Sequence, residues 1–147
     1  MAAVHFFSEA VEFKISHPQK VSRWIKNVIR SEGFVLGELN IIFCGDEHLR
    51  GINIEYLSHD TYTDIITFDN SDEAGSVEGD IFISIDRVRE NSTALLTSFE
   101  HELHRVIVHG VLHLMGYKDK TRKEKVEMRQ KEEACLSLRD VPRGTEE

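Results

Sequence analysis

The apolar residues of this chain repeat with two different periods, and the alternation between them limits the possible folds more than any other feature. Leu39, Ile41 and Phe43 alternate with Glu38, Asn40 and Ile42, the two-residue period of a strand that ends at Gly45. The run Asp80–Ile85 alternates in the same way, and a β-rich stretch from Tyr62 to Phe68 precedes it across a polar loop holding Gly75 and Gly79. That arrangement predicts two neighbouring antiparallel strands. A further strand of mixed pattern is expected over Phe6–Phe13. Helical spacing fills the intervals. Val21, Trp24, Ile25, Val28 and Ile29 follow Pro18 and stop at Gly33, and Leu49, Ile52 and Tyr56 follow Asp46 as a cap. Asp86 is expected to cap a short helix through Val88. Thr97 with Glu100 forms a capping-box pattern opening a longer helix through Met115, which Gly116 closes. A charged helix is expected from Lys120 to Leu138. Strands and helices alternate early and helices dominate late, which predicts an α/β or α+β fold of helices on a small mixed sheet. The expected organisation is a single domain over residues 1–139 with a frayed tail over 140–147.

A chain of 147 residues can bury one core without disulfide or metal staples. No stretch approaches the ~18 apolar residues of a membrane span. The two cysteines, Cys44 and Cys135, form no C-x-x-C pair, which fits a reducing cytoplasm. With 26 acidic residues against 18 Lys and Arg, the net charge is -8. Phosphate binding is driven by Lys and Arg displacing counterions, so any nucleic-acid contact must come from a local patch.

Of the eight histidines, those at 5, 17, 48, 59 and 104 have no ligand partner at helical spacing and are read as surface or packing residues. His109 and His113 differ. Four residues are about 400° of helix, so both imidazoles lie on one face, one turn apart. Gly116 turns the chain so that Asp119 can come back toward the pair as a third ligand. Zinc accepts His nitrogen and Asp oxygen together, and catalytic zinc sites use three protein ligands with a fourth position for water. The segment His101-Glu102-Leu103-His104-Arg105 imitates the zincin motif H-E-x-x-H but has Arg105 in place of the second His, and Gly110 occupies the position of a zincin's general-base Glu. Glu102 lies seven residues before His109 on the same face. Two readings of it stand, a carboxylate that orients a ligand imidazole and an ordinary solvated or capping Glu.

The stretch His109-Gly110-Val111-Leu112-His113-Leu114-Met115-Gly116-Tyr117 resembles the H-G-x-L-H-L-x-G-Y signature of the YbeY family of bacterial metal-dependent endoribonucleases of rRNA maturation. Asn53, Tyr56, Asp60, Thr63, Asp64 and Phe68 resemble that family's upstream segment, and Gly79-Asp80-Ile81 its G-D-I strand. The resemblance implies helices around a four-stranded mixed sheet, one zinc per chain held by His109, His113 and Asp119, and hydrolysis of single-stranded RNA in 16S rRNA 3′-end maturation and ribosome quality control. His109 then serves the reaction as a ligand, and Asp64 and Glu102 are candidates for proton transfer or support. The implied partners are rRNA and the ribosome or its small subunit, with no membrane. Two departures stand out. Asp119 replaces the family's usual third His, and Leu57 replaces an Arg that serves activity. From Gly51 to Asp86 there are nine acidic residues and no Lys or Arg. The cations for phosphate are therefore sought in the dense cluster from Lys118 to Lys131, where Lys118, Lys120, Arg122 and Lys123 lie nearest the metal. A zinc-dependent peptide hydrolase and a non-catalytic ribosome-assembly module with a structural metal are the competing readings.

Overall fold

The computed structural model describes residues 2–139; the tail expected over 140–147 lies outside them. Four strands, β1 (Ala3–Ser8), β2 (Val35–Cys44), β3 (Ile65–Asp69) and β4 (Ser76–Ser84), form one sheet in the order β1-β2-β4-β3. β1 and β4 run parallel to β2, and β3 runs antiparallel to β4. The expected antiparallel pairing of the two later strands is therefore present within a mixed sheet. Five helices complete the fold: α1 (Pro18–Ser31), α2 (Asp46–Leu57), α3 (Ile85–Ala94), α4 (Phe99–Leu114) and α5 (Arg122–Leu136).

The alternation of side chains divides the interior in two. Ile41, Phe43, Ile81 and Ile83 face the large core formed with α1, α3, α4 and α5, whereas Cys44 and Ile66 face Leu49 of α2 on the other side. Gly33 and Gly116 end α1 and α4 as expected, at φ +81° and +100°. Each helix closes with the same pair of bonds: Gly33 N to Arg30 O and Phe34 N to Ile29 O, then Gly116 N to His113 O and Tyr117 N to Leu112 O.

Several boundaries differ from expectation. The first strand ends at Ser8, not Phe13, because Ala10 adopts a left-handed φ of 58° and Ser8 Oγ bonds back to the Phe13 carbonyl. Gly45, not Asp46, occupies the N-cap of α2. Asp86 reaches over from α3 to accept from Asp46 N at 2.9 Å, and Asp46 accepts from Ser84 Oγ at 2.7 Å and from Arg87 Nε at 3.1 Å. Ser84 in turn caps α3. Helix α4 is capped by Ser98 rather than Thr97, and the capping box belongs to Thr121 and Glu124 at the start of α5.

His104 of α4 is buried against the Trp24 ring, with centroids 5.5 Å apart. Its Nδ1 accepts from Arg139 Nη1 at 2.9 Å, so the proton sits on Nε2, which is buried without a partner. Burial first, then the charges of Arg139 and His101, push its pKa down to about 4. The unfolded chain takes up this proton near pH 6.5 and the folded chain only near pH 4, so stability is lost as pH falls through that window. The expected loss is about 3 kcal/mol. Denaturant unfolding at pH 7 and pH 4 should show that loss in the parent and a clearly smaller one in His104→Gln.

Candidate metal centre

Helical spacing on α4 brings the His109 and His113 rings to a 4.6 Å centroid separation, tilted edge-to-face. The Gly116 turn then returns the chain, and Asp119 Oδ2 lies 3.2 Å from His109 Nε2 and 3.5 Å from His113 Nε2. All three donor atoms lie within 4.8 Å of one another. The opposite ring nitrogens are committed elsewhere: His109 Nδ1 donates to Glu132 Oε2 at 2.5 Å and His113 Nδ1 to the Tyr117 carbonyl at 3.0 Å. With each Nδ1 so engaged, both Nε2 atoms turn toward the Asp119 carboxylate, and a bound cation would satisfy all three donors at once. The spacing suits one, because ligands at ~2.05 Å from a tetrahedral metal stand ~3.3 Å apart.

The partner of His109 is Glu132 on α5, not Glu102. Glu102 instead grips Arg105, with Nε to Oε1 at 2.9 Å and Nη2 to Oε2 at 2.5 Å. Arg105 Nη1 extends to Glu132 Oε1 at 3.0 Å. Glu102 and Glu132 are only 1% and 2% exposed, so each carboxylate depends on this pairing. Burial alone would raise the Glu132 carboxyl; the bonds to His109 and Arg105 outweigh it and hold the group below the usual carboxylate range. Arg105 is held more firmly protonated, chiefly by its bonds to Glu102. Glu102 thus supports His109 at one remove. Nothing local in the sequence distinguishes Glu132 from the other acids of a charged helix.

A groove of about 460 Å³ opens beside the three donors. Asp64, just before β3, lines it and is held above the usual carboxylate range by burial, which the nearby charges of His109 and Arg105 only partly offset. Leu57, the position at which the resemblance implies an Arg, lines it too. His59, read from sequence as a surface or packing residue, is another of its walls. Lys118, Lys120, Arg122 and Lys123 are exposed around the turn that carries Asp119. Gly110 explains itself structurally. A Cβ there would stand 2.7 Å from Ile65 Cδ1 and 3.0 Å from Ile81 Cγ2, so any larger residue requires these two side chains of β3 and β4 to shift.

The model of the family "Endoribonuclease YbeY" matches residues 6–139. The chain belongs to the endoribonuclease YbeY family. The YbeY endoribonuclease of Cytophaga hutchinsonii is 51% identical over 136 residues, 92% of this chain and 95% of that one. That of Porphyromonas gingivalis is 46% identical over 146 residues, covering 99% and 96%. In fold, the solution structure of a Thermotoga maritima protein superposes with a TM-score of 0.64 at 25% identity, over 92% of this chain and 87% of that one. The YbeY signature stretch of this chain, His109 to Tyr117, is the part of the fold that presents two of the three donors.

If these atoms hold a divalent metal, Asp119→Ala should lose it on dialysis whereas Asp119→His retains it. Glu132→Gln should bind roughly 10-fold more weakly, as the loss of a carboxylate behind a ligand imidazole does. Metal content and competition titration against a chelator check both.

Proposed function

We propose that this chain is a zinc-dependent endoribonuclease that hydrolyses single-stranded RNA, acting on the 3′ end of 16S rRNA in the cytoplasm. The observation that carries this reading is the convergence of His109 Nε2, His113 Nε2 and Asp119 Oδ2 at the edge of an open groove. A structural zinc is closed by four protein ligands, and here three donors leave a side open to the groove. Bound zinc supplies an acidified water and a polarising charge for a phosphoryl oxygen.

The chain's own residues prepare the rest. Glu132 and the Tyr117 carbonyl fix which nitrogen of each imidazole faces the centre, so no tautomer change is needed before a ligand binds. Asp64 is the candidate proton carrier, since it lines the groove and is held above the usual carboxylate range, where a base exchanges protons more readily near neutral pH. Lys118, Lys120, Arg122 and Lys123 are the candidate phosphate contacts beside the turn. Ribosome or small-subunit association belongs to the same reading. Peptide hydrolysis is disfavoured, because the zincin general-base position is Gly110, which has no side chain to serve as a base.

Labelled single-stranded RNA should be cleaved by the metal-loaded protein, with activity lost on chelation and restored by added zinc, while casein is untouched. Activity that survives in metal-free His109→Ala protein would overturn the assignment. Replacing Lys120, Arg122 and Lys123 together by Ala should leave zinc content unchanged and flatten the salt dependence of RNA affinity by up to ~2 logarithmic units, at about 0.7 per phosphate contact. A salt slope equal to the parent's would exclude these three from phosphate binding.

A further inference from the structure

Every charge on α1 has the same sign. From Pro18 to Ser31 the helix holds Lys20, Arg23, Lys26 and Arg30 and no Asp or Glu, in a chain of net charge -8. At about 100° per residue these four fall within about 120° of the helix circumference. They lie opposite the buried Val21, Trp24, Ile25, Val28 and Ile29. Arg23 and Arg30 are exposed, and Lys20 and Lys26 half-buried. Among the described residues none of the four makes an ion pair, whereas Arg50, Arg87, Arg105 and Lys131 are each held by a carboxylate. On α5, by contrast, Glu124 and Glu127 stand among the cations and offset part of their charge. Neighbouring cations three and four residues apart on α1 repel one another instead, and an anion relieves that repulsion.

A second observation concerns what lies beside this stripe. Arg23 and Lys26 wall a cleft of about 450 Å³ whose other side includes Val4 and Phe6 of the edge strand β1. The Phe6 ring is fixed by stacking on Phe43, with centroids 6.2 Å apart and planes within 4°. Cations beside an apolar, aromatic surface are the pairing that grooves for single-stranded nucleic acid use. The far end of α1 leads toward the metal turn. Glu32 accepts from the Tyr117 hydroxyl and pairs with Lys131 Nζ, both at 2.6 Å, and the Tyr117 carbonyl is the acceptor for His113 Nδ1.

We propose that the Lys20-Arg23-Lys26-Arg30 face of α1, with its adjoining cleft, is a docking surface for the phosphate backbone of single-stranded RNA outside the catalytic groove. The proposal rests on the endoribonuclease reading for the identity of the polyanion. It favours RNA over an anionic membrane because no large apolar side chain of α1 is exposed for insertion. It favours RNA over an acidic peptide because the stripe, about 15 Å long, runs toward the centre where a polynucleotide would be cut.

The test is the triple variant Arg23→Ala, Lys26→Ala, Arg30→Ala in the metal-loaded protein, with Arg23→Lys, Arg30→Lys as the charge-conserving control. The probes are a 20-nucleotide single-stranded RNA and a tetranucleotide, each titrated for binding across a range of salt. Expected for the alanine variant is weaker binding of the 20-mer, with the salt slope reduced by about 2 for three lost phosphate contacts. The tetranucleotide should be unaffected, zinc content unchanged, and the KM for the long substrate raised without a change in kcat. The lysine control should match the parent. Parent-like affinity and slope in the alanine variant overturn the proposal, as does a loss of binding confined to phosphatidylserine vesicles or polyglutamate. Should the parent bind RNA through this face but cleave none, the endoribonuclease reading fails while the docking surface stands.

Discussion

The bond from His109 Nδ1 to Glu132 carries more of this structure than a single hydrogen bond suggests, because neither partner tolerates being alone. Glu132 is buried and charged, and losing a partner of such a pair costs about 3–5 kcal/mol. Its second oxygen is held by Arg105, whose guanidinium is completed by Glu102. The chain of contacts ties α4 to α5 through charge rather than through apolar packing alone. The same bond decides which imidazole nitrogen faces Asp119. Fold stability and the chemistry of the centre are thus set by one buried carboxylate.

Charge is distributed with a similar economy. Arg50 and Arg87 flank the acidic stretch from Gly51 to Asp86, and both are taken up by carboxylates, Arg50 by Asp60 within it and Arg87 by Asp46 just before it. Among the described residues, those without carboxylate partners include Lys118, Lys120, Arg122 and Lys123 around the Asp119 turn and the four cations of α1, while Lys14 and Arg89 lie apart from both groups. An acidic protein that acts on a polyanion must confine its attraction to such patches, since the summed field of the rest repels the substrate.

Local chemistry was readable from sequence where it is set by local geometry. The His109/His113 spacing, the Gly116 turn and the return of Asp119 are consequences of helix pitch and of one glycine at positive φ. The two antiparallel strands follow from the alternation of 80–85, the β-rich stretch of 62–68 and the polar loop between them. Where several residues of one chemical type compete, the choice is made by tertiary contacts. Asp46, Ser84 and Asp86 can all cap a helix, and only the meeting of α2 with α3 assigns Ser84 to one end and Asp86 to the other. Glu132 could not be told from its acidic neighbours because its distinguishing feature is a contact 23 residues away in sequence. The four cations of α1 are spaced out along the sequence, where 118–131 is crowded, and only the helix gathers them onto one face. Density in sequence is not density on a surface.

Asp119 has a thermodynamic consequence for the order of events at this centre. A neutral third ligand would leave the metal-free groove with Asp64 and the buried network alone, whereas Asp119 adds a further carboxylate at its edge, beside His109 and His113. Without a cation the groove opposes an incoming phosphate, and with one it attracts it. Metal and polynucleotide are then linked ligands: whatever factor the metal adds to RNA affinity, RNA must add to metal affinity. Where free metal is scarce, such a chain would hold a bound ion most tightly while engaged on its substrate and surrender it most readily when idle.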